Sequence, residues 1–305
     1  MSIRIDKITR GRFGNKILQY NSLVQIANNL AVEPSCVEWD GHRFFKNLST
    51  FKSAIPNNKP IKKLNWNDVL NKTDDELGEM TLANCLNIDD PSYLLHNVFF
   101  KVTITDPREF LELKDKFKPK LSNEFIHIGI HIRGGDIRGG DGNHGREIHP
   151  ASYYINAITE IENDKELSCN KIYYVCTDDK TFGTYIELVK FLIKNNIPSK
   201  RGPNTLRNNS LQHANNNYIH DFALLTECDI IISSSSTFAI AAAFIGKENK
   251  KLIFYKNWLE RNVRHEKWGN VTKDYPSHYW ESYDNFWIEI NNGGKTYLNV
   301  WKIIN

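Results

Sequence analysis

Long apolar runs, paired cysteines and a surplus of either charge are all missing from this sequence. The longest apolar stretch lies within "TFAIAAAFIG", residues 237–246. It falls far short of the roughly 18 residues of a membrane-spanning helix, so no integral membrane segment is expected. Five cysteines, at positions 36, 85, 169, 176 and 228, include no Cys-x-x-Cys pair and no zinc-ligand spacing, and their odd number speaks against a fully disulfide-paired fold. The first residues, "MSIRIDKITRGRFGNKILQY", contain no apolar leader with a cleavage site, and a reducing, cytoplasmic location is expected. Lys plus Arg number 39 against 36 for Asp plus Glu, too small a difference for a global field that would recruit nucleic acid. An anionic ligand must therefore be met locally, and any association with a membrane is expected to be peripheral.

What is present is a chain of 305 residues, 40% hydrophobic, long enough to bury the cores of two ordinary domains. "SIRIDKI" alternates as a strand and leads through a glycine turn into an amphipathic helix, "GRFGNKILQYNSLVQIANNLA". From Val32 to Lys120 the pattern weakens, with a strand signal only at "PSCVEW" and an apolar run at "YLLHNVFF". Beyond Pro119 it sharpens. "FIHIGIHI", "KIYYVCTDD" and "DIIISSSS" read as strands, and "PASYYINAITEIEN", "TFGTYIELVKFLIKNN", "YIHDFALLTEC" and "TFAIAAAFIG" as helices. Strands separated by helices of this length imply an α/β fold with a parallel sheet covered on both faces. The charged "KDKFKPKLSN" sets the boundary near residue 120, giving domains 1–120 and 121–305.

In such a fold the loops that follow the strands emerge together at one edge, where ligands bind. "HIGIHIRGGDIRGGDGNHGREIHP", residues 127–150, puts His131, Arg133, Asp136, Arg138 and Asp141 among glycines after a buried-looking strand. "YYVCTDD" ends a strand on Asp178 and Asp179, suited to a ribose hydroxyl or the N–H edge of a base, or to capping the next helix. "IIISSSSTFAIAAAF" sets Ser235, Ser236 and Thr237 where a strand ends and a helix begins. Hydroxyls, helix amides and the positive end of the helix dipole there make a phosphate seat, the alternative being an ordinary N-cap. Together these loops suit a nucleotide-sugar. The loop before the first helix adds Gly11 and Gly14, with Asn15 and Gln19 one turn apart, two amides that can face donor or acceptor.

The same stretches resemble the fucosyltransferases. "GRFGNKILQY" is similar to the Gly-x-x-Gly-Asn-x-x-x-Gln-Tyr signature of bacterial α1,2-fucosyltransferases, and "HIRGGD" to the His-x-Arg-x-x-Asp motif shared with the α1,6- and protein O-fucosyltransferases. "YYVCTDD" and "DFALLTECDIIISSSSTFAIAAAFIG" resemble two later blocks, and all four occur in family order between residues 11 and 246. The resemblance implies a GT-B architecture, two Rossmann-like domains with a cleft between them, the C-terminal one binding the donor and the N-terminal one on the acceptor side. It implies an inverting, metal-independent transfer, without a cofactor, from a GDP-sugar to a hydroxyl of a glycan acceptor in surface polysaccharide or glycoconjugate synthesis. Arg133 would contact the β-phosphate, His131 and Asp178 or Asp179 the guanine and ribose, and Ser235, Ser236, Thr237 and Phe238 would complete the phosphate seat, with Gly14 and Asn15 near the donor. Asp141 falls near the α1,6 enzymes' catalytic glutamate and would be the base, with Asp136 or Glu147 as alternatives. His149-Pro150 matches their His-Pro pair.

Two departures bear on the donor. Gly134 stands where most relatives have a second arginine, with Arg138 as a substitute, and Ile240-Ala241 replaces an aromatic pair, so that beside the fucose implied by the resemblance a roomier pocket would take another GDP-sugar such as a heptose or another deoxyhexose. A non-catalytic glycan- or nucleotide-binding protein on the same fold is the competing reading. A dehydrogenase is disfavoured because "GRFGNK" lacks the third glycine of Gly-x-Gly-x-x-Gly. Asp141, His144, Glu147 and His149 fit no established metal-ligand pattern. The aromatic tail "YPSHYWESYDNFWIEI" suits core packing or sugar stacking.

Overall fold

The longer strands are rich in β-branched residues, and the helices that separate most of the strands let neighbours pair in parallel. The computed structural model describes residues 2–5, 12–46, 48, 61–64, 74–83, 85–88, 106–134, 149–203, 218–234, 236–247, 250–255 and 299–304. The chain divides into two compact units, Met1–Asp115 and Lys116–Asn305. The tail segment "YPSHYWESYDNFWIEI" and "YLLHNVFF" lie outside the described residues.

The first unit contains β1 (Ser2–Ile5), α1 (Phe13–Asn29), β2 (Glu33–Cys36), α2 (Asp40–Phe44), β3 (Ile61–Leu64), α3 (Asp74–Ala83) and β4 (Cys85–Ile88). Its four strands pair in parallel in the order β2-β1-β4-β3. Phe13, at the start of α1, stacks on Phe45 with ring centroids 6.0 Å apart and meets Phe44 edge-on at 5.4 Å. Trp39 joins this cluster from the other side through Phe13 and Tyr20. Lys16 pairs with Asp40 at 2.7 Å, tying α1 to α2. The strand expected at "PSCVEW" is β2, shorter and one residue earlier. β3 and β4 escape sequence reading because "IKKL" and "CLNI" are too short to show alternation.

The second unit contains β5 (Ile126–Ile132), α4 (Ala151–Asn163), β6 (Lys171–Thr177), α5 (Gly183–Lys194), β7 (Ser199–Arg201), α6 (Tyr218–Glu227), β8 (Ile230–Ile232), α7 (Thr237–Ile245), β9 (Lys251–Tyr255) and β10 (Asn299–Ile304). The six strands pair in parallel in the order β10-β9-β8-β5-β6-β7, so the α/β expectation holds. β5 lies inside the sheet, and its alternation divides the two faces. Ile128, Ile130 and Ile132 join Tyr153, Tyr154 and Ile158 of α4 and Leu188 and Leu192 of α5 in one core. Burial of each isoleucine contributes roughly 2 kcal/mol. His127, Gly129 and His131 project to the opposite face, where α6 and α7 pack: Leu225 and Cys228 close over Gly129, and Phe238 over His131.

A charged group is also buried under that second face. The Lys250 ammonium donates to the carbonyls of Leu225 (2.7 Å), Thr226 (3.0 Å) and Cys228, satisfying the end of α6. Burial lowers its pKa from 10.5 to about 8.

The fold generates two expectations. A Cβ on Gly129 would lie 2.5 Å from Leu225 Cδ2 and 3.1 Å from Cys228 Sγ. Gly129→Ala should therefore cost about 1–3 kcal/mol in chemical denaturation, and combining it with Leu225→Ala should cost less than the sum of the two. His149, just before α4, is buried beneath Tyr153 and Tyr154, and burial, with the nearby His131 adding, lowers its pKa from 6.5 to about 3. The unfolded chain binds the extra proton between these values, so this contribution to stability is complete above pH 6.5 and shrinks as pH falls toward 3. Between about pH 7.5 and about pH 5.5 the wild type should lose about 1 kcal/mol that His149→Asn does not lose, as read by urea unfolding at both pH values.

Candidate functional site

The order β8-β5-β6 makes the loops after these three strands neighbours at the carboxyl edge of the sheet. Hydrogen bonds join them. His131 Nδ1 lies 2.6 Å from Ser234 Oγ, which links the end of β5 to the turn after β8. The Gly134 amide donates to Asp178 Oδ1 at 2.8 Å, which links the β5 loop to the end of β6. His131 is 9% exposed, with its ring stacked on Phe238 at 5.2 Å and 28°. The first turn of α4 braces the same edge from below: Tyr153 donates to the carbonyls of Ser233 and Ile253 at 2.9 and 3.1 Å, and Tyr154 to that of His131 at 3.3 Å.

The sequence-derived candidates divide accordingly. His131, Arg133, Asp178, Ser236, Thr237 and Phe238 all belong to this edge. Asp178 uses one carboxylate oxygen to hold the β5 loop, and Asp179 accepts from the amide and hydroxyl of Thr181 at 2.9 and 2.8 Å, shaping the turn into α5. Ser236 is the N-cap of α7, accepting from the Phe238 amide at 3.3 Å. Gly14 and Asn15 occupy the first turn of α1 in the other unit, where Gln19 is fully buried. Asp136, Asp141, Ser235, Arg138, His144 and Glu147 lie outside the described residues.

The two departures acquire a physical setting. A Cβ on Gly134 would come within 2.9 Å of the Phe182 ring, so Phe182 fills the space that a second arginine would need. Ile240 and Ala241 are 2% and 0% exposed, packed within α7's surroundings.

Three residues escaped sequence reading. Ser234, not among the serines singled out, is the one bonded to His131. Strand parity carried past Ile232 points to Ser233 instead, but the chain turns there, with the Ser236 amide donating to the Ser234 carbonyl at 2.7 Å. His149 received no role beyond its place in a His-Pro pair. Asp221, in the first turn of α6, is a carboxylate only 4% exposed. A Cβ on Gly202 would lie 2.9 Å from its Oδ1 and 2.7 Å from Cys176 Sγ, and its charge joins burial in pushing the Cys176 thiol up. The signal for Asp221 was an acid set among the apolar residues of "YIHDFALLTEC". Among the described residues no group of three His, Cys, Asp or Glu side chains could hold a metal ion.

Comparison with known proteins places this geometry in context. Two solved structures superpose loosely on the chain. The apo form of POFUT1 is 11% identical, covering 79% of this chain and 93% of that one, with a TM-score of 0.47. A mutant of Arabidopsis thaliana FUT1 in complex with GDP is 14% identical, covering 80% of this chain and 68% of that one, also with a TM-score of 0.47. No curated protein matches the sequence. The model of "Glycosyl transferase family 11" matches residues 4–275, thus spanning both units. The chain belongs to glycosyl transferase family 11, a family of fucosyltransferases.

Proposed function

We propose that this enzyme transfers a sugar, fucose by its family, from a GDP-sugar to a hydroxyl of a glycan acceptor, with inversion and without a metal, in cytoplasmic synthesis of a surface polysaccharide or glycoconjugate. The observation that carries the donor site is the pair of bonds His131–Ser234 and Gly134–Asp178, which join three loops into one edge beside Arg133 and the N-terminus of α7.

The chemistry assigns each group a task. The bond between the sugar C1 and the β-phosphate oxygen breaks as C1 bonds to the acceptor oxygen, and the acceptor proton passes to a carboxylate. Negative charge grows on the departing diphosphate. Arg133 and the amides at the start of α7 stabilise it as preorganised donors that need little reorientation. His131 and Asp178 or Asp179 face the nucleoside, and Asp221 adds a buried carboxylate beside the carboxyl ends of β6 and β7. Asp141 serves as base, with Asp136 or Glu147 as its alternatives. Acceptor recognition is assigned to the first 120 residues.

Titration calorimetry in EDTA tests this reading. GDP should bind in preference to ADP and UDP, and Arg133→Ala should weaken it about ten- to a hundredfold, the worth of a charge-assisted phosphate contact. Equal binding of UDP, or an unchanged Arg133→Ala, would sink the donor assignment. Turnover of GDP-fucose with and without candidate acceptors then separates a transferase from a protein that only binds, and a screen of other GDP-sugars fixes the donor.

A further inference from the structure

Among the described residues only two large hydrophobic side chains are exposed, Ile186 at 39% and Ile193 at 68%. Both belong to α5. They are seven residues apart, two helical turns, and so share a face. The buried face of this helix carries Thr184, Tyr185, Leu188 and Leu192, which leaves Ile186 and Ile193 pointing outward with Lys190 between them.

The surroundings are cationic. Residues 183–201 hold Lys190, Lys194, Lys200 and Arg201 against the single acid Glu187, four positive charges to one negative. That excess of three equals the formal net charge of the whole chain, +3. Lys200 and Arg201 lie on β7, the edge strand, all three of whose residues are exposed. Alternate residues of β7 face opposite sides of the sheet: Arg201, paired with Val175, lies on the side that α5 covers and comes close to Tyr185, whereas Lys200, paired with Tyr174, lies on the other side. None of these five charged residues forms an ion pair with another described residue. The neighbouring α4 is different, exposing Thr159, Glu160 and Glu162 and no large aliphatic side chain.

We propose that the outer face of α5, with Arg201 of β7 beside it, forms a docking surface for a bilayer containing anionic lipid, with Ile186 and Ile193 entering the interface and Lys190, Lys194 and Arg201 meeting the headgroups. Edge protection explains lysine and arginine on β7 but not two bare isoleucines on the adjoining helix. Self-association would set the patch against its own copy and bring like charges together. A nucleic acid would use the cations and leave the isoleucines unsatisfied. An anionic bilayer satisfies both, since basic residues find negative headgroups and apolar tips find the acyl boundary. Each cation is expected to contribute roughly fivefold to partitioning at low salt.

The inference does not rest on the donor assignment, and vesicle flotation tests it directly. The full chain is mixed with vesicles of phosphatidylcholine alone or of phosphatidylcholine with phosphatidylglycerol. The wild type should float with the anionic vesicles only, and less as salt is raised. Lys190→Glu with Lys194→Glu should lower flotation by at least roughly tenfold, and Ile186→Ser with Ile193→Ser by roughly tenfold. All four substituted residues are exposed or lie at the rim of the helix, so the variants should unfold at the wild-type temperature. Flotation with neither vesicle, flotation with both alike, or variants that float as the wild type does would each overturn the proposal. So would a wild-type dimer in sedimentation that the isoleucine variant converts to monomer.

Discussion

Parallel pairing is the constraint on which the molecule depends. Every strand pairing described is parallel, and parallel neighbours cannot be joined by a tight hairpin. Each return must cross a face of the sheet, which the helices do while burying that face. Within each sheet all strands then end at the same edge. His131 with Arg133, Asp178 and Ser234 are separated by dozens of residues in sequence and yet are neighbours because β5 lies between β6 and β8. The meeting of these loops is thus a consequence of connectivity, held by two hydrogen bonds.

The alternation in β5 shows how one strand serves two differently built faces. Its isoleucines all go to the face covered by α4 and α5, where the packing needs only apolar volume. The other face receives His127, Gly129 and His131, each for a separate reason. His127 approaches Tyr174 at 3.1 Å and the Ser122 carbonyl at 2.7 Å, Gly129 makes room for Leu225, and His131 reaches Ser234. A histidine buried in this way is oriented by Ser234, Phe238 and Tyr154 before any ligand arrives, so little is lost in ordering it. Gly134 belongs to the same logic. Phe182 covers it, and its amide is turned to Asp178, so the position that could hold a second cation instead fixes the loop that carries the first.

The regular half of the fold was legible because its strands are long, apolar and separated by periodic helices. β5, β6, α4 and α5 fall within a few residues of where the pattern puts them, and Pro150 marks the start of α4 by lacking an amide that the helix would leave unpaired in any case. The first unit was opaque because four-residue strands such as "IKKL" carry too few positions for a period. At the site, residue type was readable and residue choice was not. Four consecutive serines announce a helix start, but which of them meets His131 depends on a turn that ends strand parity. Two consecutive aspartates announce a polar strand end. Their division of labour, Asp178 to the β5 loop and Asp179 to the turn into α5, follows from the register between β5 and β6, which pairs Ile132 with Thr177. Asp221 was hidden because a carboxylate inside an apolar helix reads as an exception until the sheet it faces is known.

The docking surface and the carboxyl edge of the sheet belong to the same unit, and their relation follows from the helix direction. In a parallel α/β layer each crossover helix runs back against its strands, so α5 leads from the carboxyl edge at Asp178 toward the amino edge where β7 begins. Ile186 lies nearer the first and Ile193 nearer the second, and the patch therefore extends along the strand direction. A bilayer contacting both isoleucines holds the strands parallel to its surface rather than end-on. The carboxyl edge then faces along the membrane, not into it. That edge, with Arg133 and the start of α7, stays open to water. The two isoleucines orient the molecule, and the three cations on that side hold it.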